Sequence, residues 1–173
     1  MRKLVVPLAA ITMTCVLPAF ASAASVTMVQ GGGTGTFAAD LDGDGNVDGS
    51  QFGIGVAILG SGAARGHFLC LMAGRSEILG LSLMSVEGRV SEGGLNADGS
   101  ATFIGTGSVN LGNGETFRDM SFRVTAWPGG PGVGKMQLTV MGAFDGVPGD
   151  TNIGNGNYDL PNETVASGRI AIG

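Results

Sequence analysis

Apolar residues recur at every second position in several segments of the chain, and this period is typical of strands with one buried face. The clearest segment runs from Phe52 to Ile58, where the residues of one parity are all aromatic or β-branched. Further alternating segments have the following apolar members: Phe37, Ala39 and Leu41; Met84, Val86, Gly88 and Val90; Phe122, Val124 and Ala126; Met136, Leu138 and Val140. Between Met84 and Val90 the intervening residues are polar or charged, which predicts a strand with one solvated face.

Glycine is the commonest residue, with 33 among 173, and it follows no three-residue period, which excludes a collagen helix. Long helices are disfavoured as well, because each interior glycine costs about 1 kcal/mol relative to alanine. Turn signals recur about every ten residues, and they include 60–62, 93–94, 96–99, 112–114 and 128–132. We therefore predict one all-β domain, a single antiparallel β-sandwich or barrel of about eight to ten short strands.

Three segments depart from simple alternation. From Arg65 to Met72 the chain is apolar on both parities after its first three residues, which predicts a strand covered on both faces. Residues Ser76 to Leu81 fit either a short helical turn with a serine cap or a loop, and the sequence leaves both open. The segment from Val147 to Asn162 is rich in Gly, Asn, Asp and Pro, and it predicts a long loop before a last strand from Val165 to Ile172.

The N-terminus has the order of a secretory signal peptide. Arg2 and Lys3 precede an apolar run from Leu4 to about Leu17, and the small-residue triplet Ala21-Ser22-Ala23 follows. The run is shorter than the roughly 20 residues of a membrane span, which argues against the alternative of an uncleaved anchor. We expect residues 1–23 to be removed and residues 24–173 to form the single domain.

Charge and cysteine content narrow the function classes. Removal of residues 1–23 takes away two of nine basic and none of fourteen acidic residues, so the formal net charge moves from −5 to −7. Such an acidic surface argues against nucleic acid as a partner. Cys70 would be the only remaining thiol, which excludes an intrachain disulfide. No other segment is long and apolar enough to span a membrane, so we expect a secreted or periplasmic, cell-envelope protein.

The segment Asp40-Leu41-Asp42-Gly43-Asp44-Gly45-Asn46-Val47-Asp48 places side-chain oxygens at every second position, with glycine in sixth place. Calcium takes about six to eight oxygen ligands, and this spacing supplies them compactly around a sharp turn. The alternative is a bare hairpin turn, for which Asp-Gly and Asn-Gly steps suffice. Four aspartates within nine residues repel one another unless they are neutralised, so we favour a calcium loop that joins two strands.

This loop differs from an EF-hand. Its twelfth place is Gln51, which lacks the charge of the usual bidentate glutamate, and its flanks alternate as strands. The nine residues instead resemble the calcium loops of FG-GAP repeats, and less closely those of dockerins, which precede a helix and occur in pairs. The resemblance implies that the ligands are Asp40, Asp42, Asp44, the carbonyl of Asn46, and Asp48.

A second resemblance spans most of the mature chain. The segments Gly33-Thr34-Gly35-Thr36-Phe37, Ala64-Arg65-Gly66-His67-Phe68 and Pro131-Gly132-Val133-Gly134-Lys135 are similar to landmarks of small exported bacterial β-domains that have no assigned activity. This resemblance implies an all-β fold and no chemistry.

Few sets of residues in the sequence match a known catalytic arrangement, and we assign no catalytic residue. His67 is the only histidine, which excludes a multi-histidine zinc site, and on a strand it faces away from Cys70. We expect a packed thiol and a partly buried imidazole there. Paired carboxylates for glycoside hydrolysis remain open among Glu77, Glu87, Glu92, Glu115 and Asp119, although Glu87 is expected to form a solvated pair with Arg89.

Two further features remain open. Trp127 could be an exposed platform for a sugar or partner, although a packing residue at the rim is favoured. Asp150, Asn152, Asn157 and Asp159 could form a second calcium site, but their spacing fits no calcium motif.

The sequence thus favours an exported, calcium-stabilised, non-catalytic binding or cell-envelope module whose extracellular or envelope ligand is unknown. The alternative is a small β-barrel enzyme, a cyclase or glycosidase with an interior acidic pocket.

Overall fold

The computed structural model describes residues 25–40, 45, 47–72, 85–111 and 114–173. These residues form nine strands: β1 Val26–Thr36, β2 Gly49–Leu59, β3 Ala63–Leu71, β4 Ser85–Leu95, β5 Ala101–Asn110, β6 Thr116–Trp127, β7 Lys135–Met141, β8 Tyr158–Asp159 and β9 Glu163–Ile172. The predicted all-β fold is confirmed. Within the described ranges, no helix has the length and apolarity that a membrane span requires. The predicted signal peptide and the segment Ser76 to Leu81 lie outside the described residues.

The strands form one antiparallel sheet that closes on itself. Neighbouring strands pair in the order β6, β5, β4, β3, β2, β1, β9, β7 and β8, and β6 also pairs with β7. Eight strands therefore make a closed ring, and β8 lies beside β7 as a short addition. The contact of β7 with β9 is brief, with Lys135 opposite Thr164 and Met136 opposite Glu163. Closed rings leave few unpaired strand edges, which suits an all-antiparallel chain of this length.

The ring is filled with side chains from alternating positions. The Phe68 ring lies 5.9 Å from the Phe103 ring and 5.5 Å from the Phe122 ring, and all three residues are buried. Gly88 and Gly105 make room for this cluster, because a Cβ atom on either residue would lie 2.6 Å from the Phe122 ring. The alternating residues predicted on β2, β6 and β7 belong to the same core.

The hairpin of β1 and β2 confirms that the acidic segment joins two strands. Their register runs from Val26 opposite Leu59 to Thr36 opposite Gly49. The expected strand from Phe37 to Leu41 is wrong over its described residues, because β1 ends at Thr36. The Phe37 side chain is nevertheless buried, and its backbone N–H donates to the carbonyl oxygen of Asp48 at 2.8 Å.

The expected coverage of both faces of the strand after Arg65 is also wrong. Phe68 and Cys70 point into the ring and are buried, whereas Leu69 retains 37 % exposure on the outer face. In a closed ring only the inner face is covered by the core, so a leucine on the outer parity stays in solvent contact.

Candidate functional site

The acidic segment lies at one end of the ring, between the last residue of β1 and the first residue of β2. The structure describes Asp40, Gly45, Val47 and Asp48 of this segment, whereas the predicted ligands Asp42, Asp44 and Asn46 lie outside the described residues. Asp40 is exposed at the start of the turn, and Asp48 is buried at its end with 2 % exposure.

The backbone turns sharply at Gly45. Its φ angle is +90°, a left-handed conformation that glycine adopts without the steric cost of a Cβ atom. Its N–H donates to Oδ2 of Asp40 at 2.8 Å, so the sixth residue of the segment is hydrogen-bonded to the first. This geometry fits a chain that curls around one point, as a loop must when its alternate residues supply ligands to one ion.

The described residues of the acidic segment therefore have positions and conformations that fit a calcium loop. They supply a carboxylate at the entrance, a sharp glycine turn in the middle and a second carboxylate at the exit. Within the described ranges, no three His, Cys, Asp or Glu side chains are grouped closely enough to hold a metal ion. The remaining two aspartates of the segment would have to complete such a group.

A buried polar cluster lies directly below the exit of the loop, and sequence reasoning missed it. The Ser50 hydroxyl donates to Oε2 of Glu163 at 2.6 Å, and both residues are buried. Gly35 allows this approach, because a Cβ atom there would lie 2.6 Å from Oε2 of Glu163. Glu163 shares its parity with buried Val165, and an acidic residue on the core side of a strand is the signal that could have revealed the cluster.

Cys70 borders the same cluster. Burial raises the pKa of its thiol far above the usual range, and the negative charge of Glu163 raises it further. The space that Cys70 and Glu163 share with Phe37 and Leu138 holds no volume that a water molecule could occupy. The expected packed thiol is confirmed, and the cluster is a closed part of the core.

The candidate second calcium site has three residues in the loop from Gly142 to Asn157 and its fourth, Asp159, on β8. Asp150 accepts the backbone N–H groups of Asn152 at 3.0 Å and of Gly146 at 2.8 Å, and these bonds lower its pKa. Asp159 accepts the Thr139 hydroxyl at 2.6 Å. These carboxylates support the loop through hydrogen bonds to its own backbone and to β7.

A different polar group lies on the outer face of β3 and β4. Nε2 of His67 contacts Oε1 of Glu87 at 3.0 Å, and both side chains are more than half exposed. The expected pair of Glu87 with Arg89 is therefore wrong, and so is the partly buried imidazole. The antiparallel register explains the change, because it places Leu69 opposite Glu87 and leaves His67 one diagonal step away.

Trp127 is the last residue of β6, and a hydrogen bond joins it to the turn between β4 and β5. Its indole Nε1 donates to Oδ2 of Asp98 at 3.0 Å, and the residue is half-buried. The pKa of Asp98 is lowered, first by the hydroxyl and N–H of Ser100 and then by this indole.

Comparison with known proteins gives no relative. The chain matches no protein-family model, and neither curated protein sequences nor solved structures contain a significant match. Function is therefore inferred from the side chains and geometry of the chain itself.

Proposed function

We propose that this protein is an exported, calcium-stabilised, non-catalytic binding or cell-envelope module. Its calcium loop is the segment 40–48, similar to FG-GAP loops, with Asp40, Asp42, Asp44, the Asn46 carbonyl and Asp48 as ligands. The observation that carries the proposal is the turn at Gly45, whose N–H is hydrogen-bonded to the carboxylate of Asp40.

Electrostatics support a bound cation. A plain hairpin turn leaves its charged residues in solvent, but Asp48 is 2 % exposed and close in sequence to buried Ser50, which contacts the Glu163 carboxylate. The four aspartates between Asp40 and Asp48 repel one another, and an opposite charge among them lowers that cost. A divalent cation in the loop would supply that charge and would fix the β1–β2 hairpin after export.

The packed interior supports a binding module over an enzyme with an interior pocket. Three phenylalanine rings fill the middle of the ring, and Gly88 and Gly105 allow their close contact. The surface exposes a groove beside His67 and Glu87 instead, where a ligand can dock from solvent. The second candidate function, a small β-barrel enzyme, would have to use buried carboxylates such as Glu163 and Asp159.

Isothermal titration with calcium tests the proposal. We expect saturable heat at concentrations up to the millimolar range that suits an extracellular site. Magnesium should give a weaker response, because it demands a smaller octahedral shell and releases its waters reluctantly. The absence of calcium heat above background across that range would refute the calcium site.

A further inference from the structure

An Asn-Gly step, Asn155-Gly156, lies in the loop between β7 and β8. At such a step the backbone nitrogen of the glycine attacks the side-chain amide carbon of the asparagine, and glycine hinders this approach least because it has no Cβ atom. The N–Cγ bond forms, the Cγ–Nδ2 bond breaks, and Nδ2 leaves as ammonia with the proton of the glycine amide. Water then opens the cyclic imide at either of its carbonyl carbons, and the product is aspartate or isoaspartate.

The carboxylate of Asp145 holds the backbone on both sides of Asn155. Its Oδ1 accepts the N–H of Gly154 at 2.7 Å, and its Oδ2 accepts the N–H of Gly156 at 3.0 Å. Hydrogen bonds to a charged acceptor are stronger than those between neutral groups. The attacking nitrogen of Gly156 must lose its proton, and a negative charge that accepts this N–H opposes the loss.

The side chain of Asn155 is fixed as well. Its Nδ2 donates to Oδ2 of Asp159 at 2.7 Å, and its Oδ1 accepts the N–H of Asn157 at 2.8 Å. Asn155 and Gly156 are nevertheless exposed, so water and hydroxide reach both residues. Hydrogen bonds, and not burial, therefore restrain the reaction in the folded protein.

Asp159 connects Asn155 to the sheet. It is 6 % exposed on β8, and its Oδ1 accepts the hydroxyl of Thr139 on β7 at 2.6 Å and lies 3.7 Å from Nη2 of Arg123. A buried carboxylate depends on its donors, because a lost hydrogen bond leaves its desolvation uncompensated. Deamidation of Asn155 would replace the Nδ2 donor with a second carboxylate, and the two negative charges would repel each other.

We propose that Asn155 is a latent deamidation site, which the closed loop restrains and whose reaction releases the loop from the sheet. Local opening of the loop separates the Gly156 N–H from Asp145 and permits the attack. The new charge beside Asp159 then disfavours closure, and isoaspartate also lengthens the main chain by one carbon. The change is irreversible because ammonia is lost. This inference goes beyond the proposed binding module and depends on neither its calcium loop nor its ligand.

Incubation of the full chain at pH 8 and 37 °C, followed by mass spectrometry of its peptides, measures the deamidation rate of Asn155. We expect the rate in the folded protein to be at least about tenfold below the rate in the urea-unfolded chain, which is the effect of one hydrogen bond to a charged group. Asn113-Gly114, the other Asn-Gly step of the sequence, gives a reference rate for the unfolded chain.

Asp145→Ala should raise the rate in the folded protein toward the unfolded rate. Asp98→Ala is the matched control, because Asp98 also accepts a backbone N–H in a turn, that of Ser100 at 3.0 Å, but makes no contact with the loop. Equal rates for Asn155 in the folded and unfolded chain would overturn the proposal. So would an equal effect of the two substitutions.

Asn155→Asp reproduces the aspartate product and tests the release of the loop. We expect hydrogen exchange at the amides of Gly154 and Gly156 to become about tenfold faster, because a donor to a buried carboxylate is lost. Asn157→Asp is the matched control, since it adds the same charge where Oδ1 accepts the N–H of Gly142 at 3.0 Å and a carboxylate keeps that bond. Unchanged exchange in Asn155→Asp, or equal acceleration in both variants, would refute the release of the loop.

Discussion

The thiol of Cys70 shows how strongly the core excludes solvent. The residue is 2 % exposed, and burial together with the Glu163 charge raises its pKa, so the reactive thiolate is suppressed in the folded protein. We predict that thiol reagents label Cys70 only when the protein unfolds, with a rate that follows the unfolding equilibrium. Mass spectrometry of the labelled peptide in increasing urea measures this rate. Rapid labelling without urea would show that the end of the ring near Glu163 opens to solvent.

Two glycines, one buried on β5 and one exposed on β2, allow a comparison of the core with the surface. On β5, a Cβ atom on Gly105 would lie 2.6 Å from the Phe122 ring and would also clash with the Arg89 carbonyl oxygen. On β2, a Cβ atom on exposed Gly55 would meet nothing within 4 Å. We predict that Gly105→Ala lowers the free energy of unfolding by about 1–3 kcal/mol, the usual cost of overpacking.

Gly55→Ala is the matched control for that substitution. It should leave stability unchanged or raise it by up to about 1 kcal/mol, because alanine loses less backbone entropy than glycine in a strand. Urea denaturation of both variants supplies the two values. Equal stability of the two variants would contradict a tightly packed interior.

Strand identity could be predicted from local pattern, and strand pairing could not. The alternation from Phe52 to Ile58 predicted β2, because inner residues of a closed ring must be apolar at every second position. The exposure of Leu69 and the contact of His67 with Glu87 depend on which strand lies beside β3 and in which register. Those are long-range properties that no short window of sequence contains.

The candidate site could likewise be predicted only where its residues are close together in the sequence. The acidic segment could be recognised because all its groups are contiguous in sequence. Ser50 and Glu163 are 113 residues apart in the chain, and they meet because β1 pairs with β2 on one side and with β9 on the other. The groove beside His67 and Glu87 likewise gathers residues from four strands, β3 to β6, and alternation along a single strand does not reveal it.

Stability of the whole molecule should fall at alkaline pH. Burial raises the pKa of Tyr158, the nearby Asp150 charge adds to this effect, and the phenol donates to the Pro148 carbonyl oxygen at 3.0 Å. A raised pKa means that the folded state keeps a proton that the unfolded state releases above about pH 10. The stabilising contribution is complete below that pH and is lost as the pH rises through the folded pKa.

Replacement of Tyr158 by phenylalanine tests the source of this decline. We expect Tyr158→Phe to show a smaller loss of melting temperature between pH 9 and pH 11 than the unsubstituted protein, although the lost hydrogen bond lowers its stability at neutral pH. Thermal unfolding across that range, followed by circular dichroism, gives the comparison. Parallel pH profiles for the two proteins would assign the alkaline loss to other groups.

Calcium dependence of the melting temperature tests the central proposal most directly. At free calcium ten times the dissociation constant, binding adds about 1.4 kcal/mol to the free energy of unfolding. For a domain of this size, that should raise the melting temperature by about 3–5 °C. Asp42→Ala should abolish the rise, whereas Glu92→Ala, which removes the same charge from an exposed site on β4, should retain it. An unchanged rise in Asp42→Ala, or no rise in the unsubstituted protein, would contradict the calcium loop.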